Sequence, residues 1–296
     1  MKRRICYLSG RYVDTDKAVI SALDRGFLFG EGLFETWRTY SGRPFALREH
    51  LARMAKSARS LKIPFDPRAD WEGRTLELAR RNRMLGGGGA IRLTITAGAG
   101  EVNLVPTDVR RPTQLMLFRP LEPGLARARE NGVGVHLMDF GSGVNASFRR
   151  LKTLNYLPAV VGKLEARKRG CFESLYRLAD TTVLEGTTSN FFIVKNGKLL
   201  TTPVAEGILP GVTRALVGKV AARVAPLLER RLREKDLFEA DEMFLTSSTI
   251  EIVPILRVGR RRIADGRPGK LTRELQVRYR RTVARRLGVK VEELGE

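Results

Sequence analysis

The sequence predicts an α/β (α+β) protein with two domains, and three observations support this fold class. The chain has 296 residues, more than one average domain needs. Hydrophobic residues make up 43% of it, enough to form a substantial core. Strand-like and helix-like patterns occur in both halves, without an internal repeat. The predicted boundaries are 1–118 for the N-terminal domain, 119–131 for a proline-containing linker and 132–296 for the C-terminal domain.

The N-terminal half is predicted to contain two hairpins, two helices and two further strands. Turn pairs at Ser9-Gly10 and Ser41-Gly42 mark the hairpins, and four glycines at 86–89 end the second helix. Apolar residues at helical spacing indicate the first helix. The predicted elements in order are hairpins within 4–20 and 34–47, helices at 49–61 and 70–84, and strands at 90–97 and 114–118.

The C-terminal half is predicted to alternate strands and helices in the same way. The pair Asn196-Gly197 between two apolar runs is a strong signal for a two-residue hairpin turn. The predicted strands are 133–138, 174–178, 182–184, 191–195, 198–201 and 242–246. The predicted helices are 155–169, 212–228 and 272–287.

Composition excludes several classes of protein. No run of about 18 apolar residues occurs, so we expect no membrane span. Asp14 and Asp16 interrupt the N-terminal region early, so we expect no signal peptide and a cytoplasmic location. Two cysteines and two histidines supply neither a zinc site nor a Ser-His-Asp hydrolase, so no metal is predicted.

The net charge of +22 raises the question of nucleic-acid binding. The arginines are scattered along the chain and accompany no zinc-finger, RNP-like or leucine-zipper pattern. We therefore expect a solvated basic surface, which would also suit anionic substrates, and no nucleic-acid partner. A basic nucleic-acid-binding protein remains the alternative to an enzyme.

Four segments carry residues suited to chemistry on a carbonyl and a phosphate. Lys152 stands between a basic pair and an apolar stretch at the entry to a helix, where a lysine amine can capture a carbonyl. Glu185 closes a strand and could pair with a cationic ring nitrogen. Gly211 and Thr213 open a helix whose first N–H groups can hold a phosphate. Residues 246–249 form a run of hydroxyl side chains that suits oxyanions.

Each segment alone is also compatible with an ordinary solvated lysine, a polar turn or a capped helix. Together they supply an imine-forming amine, a carboxylate and two phosphate-binding segments, which are the parts of a pyridoxal-phosphate site. In this combination the chain resembles the class IV aminotransferases, the fold-type IV pyridoxal-phosphate enzymes. The resemblance spans nearly the whole chain and includes residues 24–36 and 49–54. It implies two domains with the cofactor between them, and a homodimer whose subunits complete the sites.

The resemblance also implies roles for individual residues. Lys152 would form the Schiff base with pyridoxal 5′-phosphate and shuttle the proton, and Glu185 would keep the pyridine nitrogen protonated. Tyr156 would reach the phenolic oxygen of the cofactor. The phosphate and its surroundings would be held by Arg53, Gly211, Val212, Thr213, Ser247 and Ser248. The substrate would be bound by Phe34, Arg38, Arg92 and the backbone N–H of Thr249.

Within this family the residues favour a transaminase that acts on branched-chain L-amino acids with 2-oxoglutarate. Phe29, Phe34 and Trp37 could shape an aliphatic pocket, although they are equally compatible with strand core. A 4-amino-4-deoxychorismate lyase and a D-amino acid aminotransferase remain alternatives. The segment 97–101 lacks the Arg-x-His pair frequent in D-amino acid enzymes, and 246–249 lacks the asparagine frequent in the lyases.

Overall fold

The computed structural model describes residues 4–105, 111–141 and 145–295. The contacts divide the chain into two compact units. The first comprises Met1–Leu121, Leu151–Asn155 and Glu292–Glu296, and the second comprises Glu122–Arg150 and Tyr156–Val291. Each unit has its own β-sheet with helices, as the predicted α/β class requires.

The first unit is built on an antiparallel sheet of six strands in the order β2-β1-β6-β5-β3-β4 among the residues described. Its strands are β1 (Ile5–Leu8), β2 (Arg11–Asp14), β3 (Gly32–Tyr40), β4 (Arg43–Pro44), β5 (Gly89–Thr96) and β6 (Gln114–Pro120). Its helices are α1 (Arg25–Phe29), α2 (Leu47–Ser60) and α3 (Trp71–Arg81). Both predicted hairpins and both predicted helices are present, but residue 47 begins α2 instead of continuing a strand.

The core of the first unit lies between one face of this sheet and helices α2 and α3. Along β3, Leu33 and Trp37 pack with Met54 of α2 and Leu78 of α3. Because side chains alternate across a strand, residues 34, 36 and 38 point to the opposite face. Trp37, which the sequence also offered as a pocket residue, is therefore core.

In the described part of the second unit, the sheet is mixed and has nine strands, eight of them in the order β12-β11-β10-β13-β14-β7-β8-β9, with β15 paired to β14. Its strands are β7 (Val133–Asp139), β8 (Glu173–Arg177), β9 (Val183–Gly186), β10 (Asn190–Lys195), β11 (Lys198–Thr201), β12 (Leu227–Glu229), β13 (Glu242–Ser247), β14 (Glu251–Val258) and β15 (Arg261–Arg262). Its helices are α4 (Leu125–Asn131), α5 (Ala146–Arg149), α6 (Leu157–Lys168), α7 (Val212–Ala221), α8 (Glu234–Phe238) and α9 (Lys270–Leu287).

Two segments predicted from the sequence differ from the structure. The predicted linker 119–131 contains the end of β6 and helix α4. The predicted helix 212–228 ends at Ala221, and Leu227–Glu229 instead forms β12 beside β11. Pro226 directly precedes that strand, and a proline disfavours helical conformation in the residue before it.

The segment around Lys152 was assigned from the sequence to the C-terminal domain, whereas the contacts group Leu151–Asn155 with the first unit. Backbone hydrogen bonds explain this grouping. The N–H of Phe34 donates to the carbonyl of Lys152 (2.9 Å), and the N–H of Leu154 donates to the carbonyl of Gly32 (3.0 Å). The segment therefore extends the first sheet by pairing along the edge of β3.

Candidate active site

Two cationic side chains of the first unit lie over the ring of Phe34. The Nζ of Lys152 is 4.5 Å from the ring centroid, and the guanidinium carbon of Arg92 is 3.6 Å from it. Arg92 of β5 lies opposite Thr36 in the strand register, which places it on the same sheet face as Phe34. A buried aromatic ring is thus flanked by an amine that can act as a nucleophile and by a forked donor that can bind a carboxylate.

Arg38 lies further along the same face of β3. Its side chain is 1% exposed, and its guanidinium carbon lies 4.5 Å from the ring centroid of Tyr40. The structure thus brings Phe34, Arg92 and Lys152 together, and places Arg38 beside Tyr40 at the far end of the strand.

The opposite face of β3 holds a buried ionic cluster of Glu35, His50 and Arg53. The Nε and Nη2 of Arg53 each donate to a different oxygen of Glu35 at 2.7 Å. The Nδ1 of His50 lies 2.7 Å from Oε2 of the same carboxylate. The two-point contact fixes the plane of the Arg53 guanidinium.

The electrostatics of this cluster favour an ionised Glu35 and a neutral His50. Burial raises the pKa of Glu35, but the charge of Arg53 and the hydrogen bonds from His50 and Arg53 outweigh it and leave the pKa well below its usual value. Burial lowers the pKa of His50, the positive charges of Arg53 and Lys152 lower it further, and Glu35 opposes them. Lys152 at the edge of β3 is therefore within electrostatic reach of this cluster.

The sequence did not identify Glu35 or His50 as site residues, although the alternating pattern of β3 contains a signal for Glu35. In the alternating pattern of β3, Glu35 occupies a position between the core residues Leu33 and Trp37. A carboxylate on the core face requires a buried partner, because an unpaired buried charge is costly. The arginine and histidine on the neighbouring helix are those partners.

The second unit fixes the carboxylate of Glu185 with three contacts. The N–H of Leu209 lies 3.1 Å from each of its oxygens. The Nδ2 of Asn190 donates to Oε2 at 3.0 Å and also to the carbonyl of Leu209 at 3.0 Å. Glu185 lies in β9 and Asn190 begins β10, so two strands and the segment before α7 hold this carboxylate in one orientation. The sequence identified Glu185 and did not identify the residues that hold it.

Helix α7 begins directly after Gly211, which caps it without a side-chain hydrogen bond. A Cβ atom on Gly211 would lie 2.0 Å from Oδ1 of Asn190, so the close approach of these two segments requires glycine. Val212 is half-buried and Thr213 is buried. The first N–H groups of a helix have no partner within the helix, and they suit an anion.

Other predicted site residues of the second unit lie at the ends of its elements. Tyr156 immediately precedes α6, and its hydroxyl lies 3.4 Å from the carbonyl of Thr187. Ser247 ends β13, and Ser248 and Thr249 follow in the turn before β14. All three of these turn residues are half-buried.

Within residues 4–105, 111–141 and 145–295, no group of three or more histidine, cysteine or acidic side chains is arranged to hold a metal ion. In the same ranges, no helix is both long and apolar enough to cross a membrane. Cys6 and Cys171 are free thiols.

The first unit thus presents an amine beside a buried ring, and the second unit presents a carboxylate held by two donors and a helix start without a side-chain cap. The chain matches the family model for amino-transferase class IV over residues 32–258. It belongs to the class IV aminotransferase family, which confirms the predicted family and enzyme class.

The relatives by sequence carry three different activities in their names. A protein of Methanocaldococcus jannaschii, provisionally named a branched-chain-amino-acid aminotransferase, is 35% identical over 96% of this chain and 98% of its own length. The aminodeoxychorismate lyase of Bacillus subtilis is 30% identical over 94% of each chain. The D-alanine aminotransferase of Bacillus licheniformis is 30% identical over 93% of this chain and 95% of its own.

Solved structures confirm the predicted fold-type IV class. The branched-chain aminotransferase of Thermoproteus uzoniensis with norvaline superimposes with a TM-score of 0.84 at 28% identity, covering 99% of this chain and 97% of that one. The branched-chain aminotransferase of T.th. complexed with N-(5′-phosphopyridoxyl)-L-glutamate gives 0.84 at 26% identity, covering 97% and 96%. A further structure of the T.th. enzyme holds pyridoxamine 5′-phosphate, in agreement with the predicted vitamin B6 cofactor.

Proposed function

We propose that this chain transfers the amino group of branched-chain L-amino acids to 2-oxoglutarate, using pyridoxal 5′-phosphate. The observation that carries the proposal is the pair of cations on Phe34. In the proposed site the Phe34 ring would form an apolar wall for an aliphatic side chain, and Arg92 beside it would donate to the second carboxylate of a dicarboxylate. One pocket can then accept both partners of the exchange.

The residues present suit the cofactor. When bound, pyridoxal phosphate supplies an aldehyde that captures the amino group and a ring that accepts an electron pair. Lys152 would hold the aldehyde and afterwards carry the proton from the substrate carbon. Glu185, held by Asn190 and Leu209, would accept a hydrogen bond from the protonated ring nitrogen. Tyr156 would orient the phenolic oxygen.

Each unit contains donors that would suit the phosphate. Arg53 would bind it through a guanidinium whose plane Glu35 fixes. The N–H groups of Val212 and Thr213 at the start of α7 would add to it, where Gly211 leaves room for a close approach. The hydroxyls of Ser247 and Ser248 suit the same anion, and the N–H of Thr249 would receive the substrate carboxylate.

A half-reaction screen tests the proposed function. Purified protein with bound pyridoxal phosphate is mixed separately with L-leucine, L-glutamate, D-alanine and aminodeoxychorismate, while the visible absorbance band is followed. We expect L-leucine and L-glutamate to bleach the band and D-alanine to leave it unchanged. Lys152→Ala should abolish the response, whereas Lys168→Ala, which removes an exposed lysine paired with Glu165, should not.

Two outcomes of the screen would contradict the proposal. Pyruvate formed from aminodeoxychorismate without any response to amino acids would assign the lyase, which the Bacillus subtilis relative favours as second candidate. A response to D-alanine and none to L-leucine would assign the D-amino acid activity.

We also propose that two copies of the chain form a homodimer, because each unit exposes an apolar surface. In the first unit, Arg25 donates to the carbonyls of Glu101 and Asn103 and so ties the exposed loop 101–105 to α1. Four large apolar side chains of α1 and this loop are between 66% and 81% exposed: Phe27, Val102, Leu104 and Val105.

In the second unit, the exposed apolar surface is one face of α6. Leu157, Val160, Val161 and Leu164 have the i, i+3, i+4, i+7 spacing of a helix that packs against another helix, yet they are between 40% and 71% exposed. A second copy could cover such a surface with the same face, as in a two-fold dimer.

A further inference from the structure

Glu173 is a buried carboxylate of the second unit that the proposed function does not use. It begins β8 and is 0% exposed. Acidic side chains are almost never fully buried unless they have partners, so its surroundings are informative.

The partners of Glu173 come from one short turn. The three residues 187–189 connect β9 to β10, and each of them donates a side-chain hydroxyl to Glu173. Thr187 donates to Oε1, Thr188 donates to Oε2 at 2.7 Å, and Ser189 donates to Oε2 at 3.3 Å. The Nζ of Lys163 lies 3.4 Å from Oε2 and provides a cation beside the carboxylate.

Two backbone hydrogen bonds also hold the same turn. The N–H of Gly186 donates to the carbonyl of Ser189 at 2.7 Å, and the N–H of Thr187 donates to the carbonyl of Ser174 at 3.0 Å. A Cβ atom on Gly186 would lie 2.3 Å from the Ser189 hydroxyl, so glycine lets the turn close over the carboxylate. The position of the turn therefore depends on these backbone contacts and on the three hydroxyl contacts to Glu173.

The turn lies between two residues of the proposed cofactor site. Glu185 and Gly186 precede the turn, and Asn190 follows it. The side chain of Asn190 donates to Glu185 at 3.0 Å. The first carbonyl of the turn, that of Thr187, lies 3.4 Å from the hydroxyl of Tyr156. A displacement of the turn would therefore displace two groups of the proposed site. One is Glu185, proposed to bind the ring nitrogen of the cofactor, and the other is Tyr156, proposed to bind its phenolic oxygen.

The charge of Glu173 also acts on the nearby Tyr176. Burial raises the pKa of Tyr176, and the negative charges near it, which include Glu173 and Glu185, raise it further. Glu173 and Glu185 therefore act on the same buried tyrosine.

We propose that Glu173 is a positioning residue of the enzyme. It anchors the 187–189 turn through three hydroxyls, and thereby holds Tyr156 and Glu185 in the arrangement that receives pyridoxal phosphate. The inference rests on the proposed function, because the two residues it positions are assigned there to the cofactor.

The test measures cofactor binding as well as turnover. Apoenzyme is titrated with pyridoxal phosphate, and the visible band of the holoenzyme is followed against pH. We expect Glu173→Gln and Thr188→Val each to raise the dissociation constant, by about tenfold for a supporting residue of this kind, and to shift the midpoint of the pH titration. Thr188→Ser, which restores the hydroxyl, should return both values toward wild type.

Glu242→Gln is the matched control for lost stability. Glu242 accepts hydrogen bonds from the first N–H groups of α9 and contacts no residue of the turn. Its variant should melt at lower temperature with unchanged cofactor affinity. Thr188 is exposed, so its variants keep the test informative if Glu173→Gln does not fold.

Three results separate the possible failures. If Glu173→Gln and Thr188→Val bind the cofactor as wild type does, with the same pH midpoint, the positioning role is wrong. If Glu242→Gln weakens binding equally, the effect is one of general stability and the inference is also wrong. If wild-type apoenzyme develops no visible band, the proposed function itself fails.

Discussion

The buried carboxylate of Glu35 determines the orientation of two neighbouring side chains, those of His50 and Arg53. A carboxylate on the core face of β3 is tolerated because Arg53 contacts it at two points and His50 at a third. The same contacts orient the arginine proposed for the phosphate. Arg53 was assigned from the sequence by resemblance, but the residue that holds it could be found only by asking why an acid interrupts an apolar face.

The pKa of His50 predicts how stability depends on pH. Native His50 is neutral, and its pKa lies below the ordinary value of 6.5. As pH falls below about 6.5, the unfolded chain binds a proton that the native state excludes, so the free energy of unfolding decreases. Glu35 adds a second loss below pH 4.5, because its native pKa is lower than that ordinary value and its contribution disappears as it becomes protonated.

Urea unfolding at several pH values between about 7 and about 5 measures the His50 contribution. His50→Asn keeps a donor toward Glu35 and removes the titrating ring, so we expect a flatter dependence. His136→Gln is the comparison. Burial also lowers the pKa of His136, but His136 is only half-buried, so its removal should flatten the dependence less than His50→Asn does. Equal slopes in wild type and His50→Asn would contradict this interpretation.

Arg92 gives a second prediction at the residue scale. Arg92→Met removes the forked donor beside Phe34 and keeps an apolar side chain of similar length. We expect KM for 2-oxoglutarate to rise about tenfold or more, because a hydrogen bond to a charged group contributes about 1.5–3 kcal/mol. KM for L-leucine should change little. A parallel rise for both substrates would place Arg92 outside the site for the second carboxylate.

At the scale of elements, the close approach of α7 to β10 gives a testable packing constraint. In Gly211→Ala the added Cβ would lie 2.0 Å from Oδ1 of Asn190, and the backbone conformation of Gly211 is one that alanine also adopts. The clash must therefore displace Asn190, α7 or both, and Asn190 holds Glu185.

We expect Gly211→Ala to weaken pyridoxal phosphate binding in an apoenzyme titration. Gly86→Ala is the control, because no atom lies within 4 Å of the added Cβ there. Cofactor affinity equal to wild type in Gly211→Ala would show that the start of α7 tolerates displacement and does not hold the phosphate.

Element type was predictable where local pattern and tertiary packing agree. The turn Asn196-Gly197 is present with both residues at positive φ, as its sequence predicts. The helix predicted at 212–228 was wrong beyond Ala221. Pro226 was a local signal against a helix there, but the strand at 227–229 depends on pairing with β11, which the local sequence does not indicate. The pairing of 151–155 with β3 was missed for the same reason, since its partner lies more than a hundred residues away.

At the scale of the whole molecule, the proposed homodimer can be tested through α6. Leu164→Glu places a charge in the apolar face of that helix, where Leu164 is 53% exposed. Sedimentation should show wild type at twice the 33.2 kDa of one chain and the variant shifted toward a single chain.

Val277→Glu is the matched control for this test. Val277 is 50% exposed on α9, where its exposed neighbours are charged, and so it belongs to no apolar stripe. Its variant should sediment as wild type does. A wild-type protein that sediments as a single chain would contradict the dimer, and dissociation of both variants would show that the α6 stripe is not specific.

The pairing of Leu151–Asn155 along β3 has a consequence for synthesis on the ribosome. The first unit is assembled from three separate stretches of polypeptide, and the stretch that carries Lys152 emerges about thirty residues after β6. The nascent first unit therefore exposes the start of β3 as an open sheet edge until residues 151–155 have emerged from the ribosome. Lys152, the residue proposed to hold the cofactor, joins the unit with this segment, so a chain that ends before residue 151 would lack this amine and leave the start of β3 unpaired.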